Sequence, residues 1–332
     1  MGLMKMQRVQ FVKRLTALLS IAVLILTAGC SLRGEGPTPL NPKGTAGEEL
    51  LWLIYLSLGI MITVLVVVFA LYFYVIIRFR RRKGDNEIPK QVEGSHKLEI
   101  TWTVIPIILL LILAVPTVAL TFSQAQGEEP DEGALVIKVT AHQFWWEFEY
   151  PELGIYTAQD MWIPVNRKIH LELTSADVAH SFWVPGLAGK MDTIPGLINR
   201  MELDAKEEGI YKGKCAELCG ASHALMDFKV VAVSEEEFAD WAEKMKAPAA
   251  AVTDDTARGQ EIFAAKCMAC HAVDATTPSA GPNLKGFADR ITVAAFRPNT
   301  EEWIKKWLDN PDAVKQGATM PQVELTDEEI DE

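Results

Sequence analysis

Three apolar runs dominate the first 125 residues, and each is bounded by charge. The shortest, residues 15–26, follows Lys13 and Arg14 and ends in Leu26-Thr27-Ala28-Gly29-Cys30. An apolar stretch of this length, after basic residues and before small ones, reads as a secretory signal core rather than a span. Residues 50–77 and 102–125 carry no charge at all, and each exceeds the roughly 20 residues that cross a bilayer. Both are read as spanning helices, with Pro106 and Pro116 as kinks inside the second. The loop between them holds Arg78, Arg80, Arg81, Arg82, Lys83, Lys90 and Lys97, so the positive-inside rule puts it in the cytoplasm and both outer helix ends outside.

From about Ala134 the pattern changes to short β-rich runs, "ALVIKVTAHQFWWEFEY", "KIHLELTS", "HSFWVPGL", "INRMELDA" and "FKVVAVS", separated by Pro, Gly and Asp. Strands at this spacing predict an antiparallel sandwich or Greek-key barrel of about 100 residues. An Ala/Pro-rich stretch, "KMKAPAAAVTDD", reads as a linker. Beyond it "ARGQEIFAAKCMACHAV" has amphipathic helical spacing, and "TEEWIKKWLDN" opens with a capping-box-like Thr300 and stops at Pro311. The expected organisation is therefore a signal segment (1–29), an N-terminal part with two spans (30–125), a β-domain (126–240), a linker (241–254) and a small α-domain (255–332).

Composition agrees with a membrane part, since 49% of the 332 residues are hydrophobic. The net charge of −12 is uneven: residues 126–332 hold 37 acidic against 19 basic side chains, residues 1–125 hold 7 against 13. An acidic distal half excludes nucleic acid and predicts a basic partner. The five cysteines are Cys30, Cys215, Cys219, Cys267 and Cys270. Two close pairs and a singleton are not a disulfide framework.

The α-domain pair lies in Cys267-Met268-Ala269-Cys270-His271. In a Cys-x-x-Cys-His motif the thiols attach haem c covalently and the histidine binds the iron. A second axial ligand is expected from Met320, the only methionine after Met268. The loop Gly281-Pro282-Asn283-Leu284 resembles the one that supports the histidine side in small class I cytochromes c. Trp303 and Trp307 read as core.

The other pair lies in "KCAELCGASHALM", where Cys215, Cys219, His223 and Met226 can converge from one loop. Soft thiolate and thioether ligands select copper, zinc or iron–sulfur, and two thiolates can bridge two coppers. Adding His180 makes Cys₂His₂, a valid zinc set, and a Cys215–Cys219 disulfide is a further option. Met226 and the haem motif on the same exported chain favour a binuclear copper centre.

Cys215-x-Glu217-x-Cys219-x₃-His223-x₂-Met226, with His180 upstream, resembles the CuA site of subunit II of the haem-copper cytochrome c oxidases. The likeness runs from about residue 48 to 233 and includes "LEITWTVIP", "AHQFWWEFEYP" and "HSFWVPGLAGKMDTIPG". The appended domain resembles the haem-c-fused, caa-type branch. The resemblance implies a cupredoxin-like barrel in which both sulfurs bridge the coppers. His180 and Met226 would complete one copper; His223 and the Glu217 carbonyl would complete the other, and the Glu217 carboxylate would reach a magnesium shared with subunit I. It further implies electron input at Phe144, Trp145 and Trp146, a proton-path entrance at Glu99, and partnership with subunits I and III and with cytochrome c or a membrane reductase. The chain would then relay electrons to subunit I, where oxygen is reduced, from the outer face of the bacterial cytoplasmic membrane. Phe144 departs from the pattern, since many relatives carry Trp there. "LTAGC" resembles a bacterial lipoprotein signal that lipidates Cys30, with Thr27 where Leu is usual. The alternatives are a CuA subunit of a nitric-oxide reductase and, from another class, a copper-delivery or storage lipoprotein. His96, His142 and His170 read as structural.

Overall fold

The computed structural model describes residues 37–81, 90–125, 133–248 and 251–332 and a few isolated positions. Cys30 and nearly all of the signal segment lie outside the described residues.

Two long helices, α1 (Thr45–Arg78) and α2 (His96–Ala125), carry the apolar runs. Each begins several residues before its run, because polar residues at a helix end keep helical geometry without adding to the apolar signal. Pro106 and Pro116 sit inside α2 without ending it. The hydroxyls of Thr101, Thr103, Thr117 and Thr121 bond the carbonyl four residues back, which satisfies them where water is absent.

The start of α1 is welded to the β-domain. Gly47 N donates to Leu187 O at 3.0 Å and Lys43 N to Gly186 O at 2.7 Å, while Lys206 N returns a bond to Lys43 O at 2.7 Å. Thr45 N donates to Asp204 Oδ1 at 2.8 Å. A Cβ on Gly44 or Gly47 would lie 2.4 or 2.9 Å from Leu187 O, so only glycine permits this backbone approach.

The β-domain is a two-sheet sandwich. One sheet has the order β3-β2-β1-β5-β8, from β1 (Leu135–His142), β2 (Trp145–Tyr150), β3 (Ile155–Ala158), β5 (Ile169–Ser175) and β8 (Asn199–Leu203). The other runs β4-β10-β9-β6-β7, from β4 (Asp160–Pro164), β6 (His180–Trp183), β7 (Lys190–Thr193), β9 (Gly209–Cys215) and β10 (Asp227–Val233). The expected purely antiparallel pairing does not hold, because β1 lies parallel to β5 and β4 to β10. Parallel neighbours need a crossover, here supplied by the intervening strands. Alternate residues face inward, and Trp146, Phe182 and Phe228 pack at the centre with ring centroids 4.6–5.6 Å apart, Phe182 stacked on Phe228 and Trp146 edge-on to Phe182.

Helix α3 (Glu235–Lys246) closes one end of the sandwich. Ser234 caps it by accepting from Glu237 N at 3.2 Å, and Phe238, Ala242 and Met245, at positions i, i+4 and i+7, form its buried stripe. Trp241 stacks on Trp162 of β4 at 5.6 Å. The stretch 241–254 expected as linker is thus helical to Lys246, and helix α4 (Asp254–Lys266) begins at its far end.

The C-terminal domain carries the helices α4, α5 (Glu301–Asp309), α6 (Pro311–Val314) and α7 (Asp327–Asp331), joined by long turns and a short antiparallel pair, Thr292–Val293 with Arg297–Pro298. Thr300 Oγ1 accepts from Trp303 N at 3.4 Å; with Trp at N3 there is no returning arm, so the expected capping box is a single-armed cap. This domain is docked on the sandwich. Tyr156 N donates to Ala275 O at 2.6 Å, Ile291 N to Asp160 Oδ2 at 3.0 Å, and Ser222 Oγ to Gln316 O at 2.6 Å. Lys244 pairs with Asp289 at 2.8 Å.

Candidate metal centre and haem site

The last residue of β9 is Cys215, and β10 begins at Asp227, so the chain between them must turn at one end of the sandwich. That loop carries Cys219, a short 3-10 turn over His223–Leu225, and Met226. Strand β6 lies beside β9 and brings His180 to the same end. Cys215 and Cys219 hold their sulfurs 3.8 Å apart, far beyond the roughly 2.05 Å of a disulfide. Around them stand His180 Nδ1, 3.9 Å from Cys215 Sγ, His223 Nδ1, 3.6 Å from Cys219 Sγ, and Met226 Sδ, 3.8 Å from Cys219 Sγ. The Glu217 carbonyl lies 3.1 Å from Cys215 Sγ. His180, Met226 and both cysteines are buried, whereas Glu217 is exposed.

Electrostatics explain why this cluster suits a cation. Burial pushes the Cys219 thiol up to about 12, and the neighbouring Cys215 adds to the shift. Two thiolates so close together need positive charge between them. Burial also lowers the pKa of His180, against the opposing pull of Asp177, and so favours the neutral imidazole that binds metal. The donor set of two thiols, two imidazoles, a thioether and a carbonyl fits soft copper.

In the C-terminal domain α4 ends at Lys266, and the Cys267–His271 motif follows as turns, with both thiols free. His271 Nδ1 donates to the Pro282 carbonyl at 2.8 Å, which fixes the tautomer and leaves Nε2 for iron. A Cβ on Gly281 would lie 2.8 Å from His271 Cε1, so this loop lies flat against the ring. Free thiols beside a histidine with a committed Nδ1 fit haem c. Met320 lies half-buried in the turn after α6.

The family profile described as "Cytochrome C oxidase subunit II, periplasmic domain" matches residues 155–233, its transmembrane-domain counterpart matches 44–120, and "Cytochrome c" matches 256–332. Cytochrome c oxidase subunit 2 of Alkalihalophilus pseudofirmus is 48% identical over 91% of this chain and 90% of its own. The chain belongs to the cytochrome c oxidase subunit 2 family. The Bacillus subtilis (strain 168) subunit 2 is 43% identical over 92% of this chain and 91% of its own. The solved periplasmic domain of subunit II from Bradyrhizobium japonicum shares 35% identity, covering 36% of this chain and 95% of that one, at a TM-score of 0.33. As an oxidase subunit 2 with a cytochrome c domain, the chain is the electron-input subunit of an oxidoreductase complex. Its two domains point to copper and haem c, its partners are other oxidase subunits and cytochrome c donors, and it is membrane-anchored with an extracytoplasmic domain. Neither the nitric-oxide reductase nor the copper-delivery alternative gains support from these matches.

Other expected positions of the oxidase subunit fall as follows. Trp146 is inside the sandwich core, edge-on to His180 at 6.2 Å. Trp145 stacks on His142 at 4.0 Å, and Phe144 is buried beside Gly220 and Gly317. Glu99, in the first turn of α2, is exposed, and its carboxylate lies 3.8 Å from His96. His170 lies 3.2 Å from Glu202. Sequence reasoning missed Asp177, which holds His180, and Lys315, which is buried between the domains; a carboxylate three residues before a ligand histidine was the only available sign of the first.

Proposed function

We propose that the copper domain holds a binuclear CuA centre and that electrons cross this chain from its cytochrome domain to its copper domain, then to subunit I. The observation that carries this is the set of donors packed 3.1–3.9 Å around one sulfur or the other. Cys215 and Cys219 would bridge the metals; His180 and Met226 would serve one, His223 and the Glu217 carbonyl the other. Cys267 and Cys270 would attach haem c, with His271 and Met320 as axial ligands. When bound, both groups supply one-electron carriage at nearly fixed geometry. The chain's own residues set that geometry: Asp177 orients His180, and Pro282 orients His271. The exposed Glu217 carboxylate, whose Oε1 accepts from Leu218 N at 3.2 Å, would reach a magnesium shared with subunit I. Glu99 would admit protons at the cytoplasmic end of α2, and Phe144 and Trp145 would line the electron-input face. Two passes through the bacterial cytoplasmic membrane, an acylated Cys30, contact with subunit III and a cytochrome c or membrane reductase as donor complete the reading.

The test is the Cys267→Ser/Cys270→Ser complex, which would lack haem c and keep copper. Oxidation of a soluble basic cytochrome should slow strongly against wild type. In the wild type this reaction should fall as salt rises, because the surface is acidic. Equal rates in the two enzymes would overturn the relay order. Metal analysis and near-infrared spectra of the same preparations should show two coppers at this centre; zinc or a single copper would overturn the CuA assignment.

A further inference from the structure

Lysine is rarely buried unless it is paired, yet Lys315 is only 3% exposed. It follows α6 directly, in the turn that leads to Met320. Its ammonium donates to Phe144 O of the sandwich at 2.6 Å and to Ala294 O of its own domain at 2.9 Å. The second acceptor belongs to a strained turn, since Ala294 and Ala295 have φ of 53° and 79°. Such conformations persist where the surroundings over-determine them. Beyond Lys315 the contacts continue: Gln316 O accepts from Ser222, and Thr319 Oγ1 donates to Gln143 O at 3.2 Å. Gln143 in turn donates from Nε2 to the carbonyl of Cys219. The segment 315–319 therefore lies on the corner that also supports the sulfur cluster.

We propose that Lys315 is a positioning residue that fixes the register of the cytochrome domain on the copper domain, so that the Met320 turn meets the Gln143–Phe144 corner in one orientation. This rests on the relay reading above. A buried lysine amine, which can donate to both carbonyls with or without its charge, is a costly way to gain affinity, and the better-attested use of such a buried polar group is to select one arrangement among several. An apolar residue of equal length could fill the space but would leave the Phe144 and Ala294 carbonyls without a donor, and a buried acceptor without a partner forces a rearrangement. Ser222 to Gln316 and Thr319 to Gln143 then follow the altered register.

The experiment uses the intact complex. In Lys315→Met, transfer from the cytochrome domain to the copper domain, followed by flash photolysis, should slow severalfold, because electron tunnelling weakens steeply with each ångström of added separation. Haem and copper spectra and reduction of the haem by external donor should stay as in wild type. Amide exchange at Ile291, whose N–H donates to Asp160 Oδ2 across the interface, should quicken in the same variant, while exchange inside each domain stays as in wild type. Lys315→Met with wild-type transfer would overturn the proposal. If that variant fails to accumulate, Lys315→Gln, which keeps a donor for only one of the two carbonyls, takes its place, and wild-type transfer together with wild-type exchange at Ile291 there overturns the proposal. Failure of the relay reading is distinguishable, because it appears in the Cys267→Ser/Cys270→Ser enzyme regardless of residue 315.

Discussion

Asp177 Oδ1 lies 2.8 Å from His180 Nε2, and this commits the opposite ring nitrogen to the sulfur pair. Burial works to raise the Asp177 pKa, but the bonds from His180 and from the Gln143 and Val178 amides outweigh it and hold the carboxyl below its usual range. It therefore stays an acceptor at neutral pH. Removing such a partner of a ligand histidine commonly costs about 10–100-fold in metal affinity. Asp177→Ala should accordingly lose copper to a chelator faster than wild type by a comparable factor while remaining folded. Equal copper retention would show that the ring needs no such support.

Met226 is fully buried, with Sδ 3.8 Å from Cys219 Sγ. A weak thioether ligand tunes a soft copper site rather than holding it, and leucine preserves most of the volume. Met226→Leu should keep the fold and both thiols but shift the copper potential and the visible spectrum. A variant identical to wild type in both would remove Met226 from the ligand set.

Attachment of haem requires only Cys267 and Cys270, whereas a Met/His axial pair raises the potential. Met320→Ala should retain covalent haem, lower its potential, and turn the spectrum high-spin or to that of a substitute ligand. Reduced-minus-oxidised spectra and a redox titration would detect this. Loss of the haem from a folded domain would contradict the division of roles between motif and loop.

Burial pushes the Lys315 ammonium down from 10.5 to about 7, while Asp227 and Cys219 pull the other way. In an undocked domain the side chain regains water and its ordinary value. Between pH 7 and 10.5 undocking therefore takes up a proton, so docking strengthens as pH rises through that window and is insensitive below it. Amide exchange at Ile291, whose N–H bonds Asp160 across the interface, should show this as a difference between wild type and Lys315→Met over that range. Parallel pH profiles would contradict it.

The spans were legible because length and absence of charge suffice for them, although Thr45–Glu49 and His96–Thr101 carry helix in residues too polar to show it. Strands with long alternating runs, such as β1 and β5, were equally plain. Short β3, β4 and β7, and β9 with its exposed Gly209–Lys212, gave no pattern, and parallel pairing depends on crossovers that no local period records. The copper loop was readable because its ligands are close in sequence and their chemistry is unusual. Lys315 was not, since a lysine after a short helix looks solvent-exposed until the other domain covers it. Within the aromatic run, strand alternation puts Trp146 in the core, whereas Phe144 packs beside Gly220 of its own domain and Gly317 of the other.

The weld between the start of α1 and the Leu187 and Lys206 loops means that the sandwich has no independent altitude. Its height above the hydrocarbon is dictated by where α1 enters the bilayer, and any tilt of that helix would swing the metal loop along an arc, as a mast carries a lamp. The loop that carries the sulfur cluster is thus held at a height set by the same helix that anchors the chain in the bilayer.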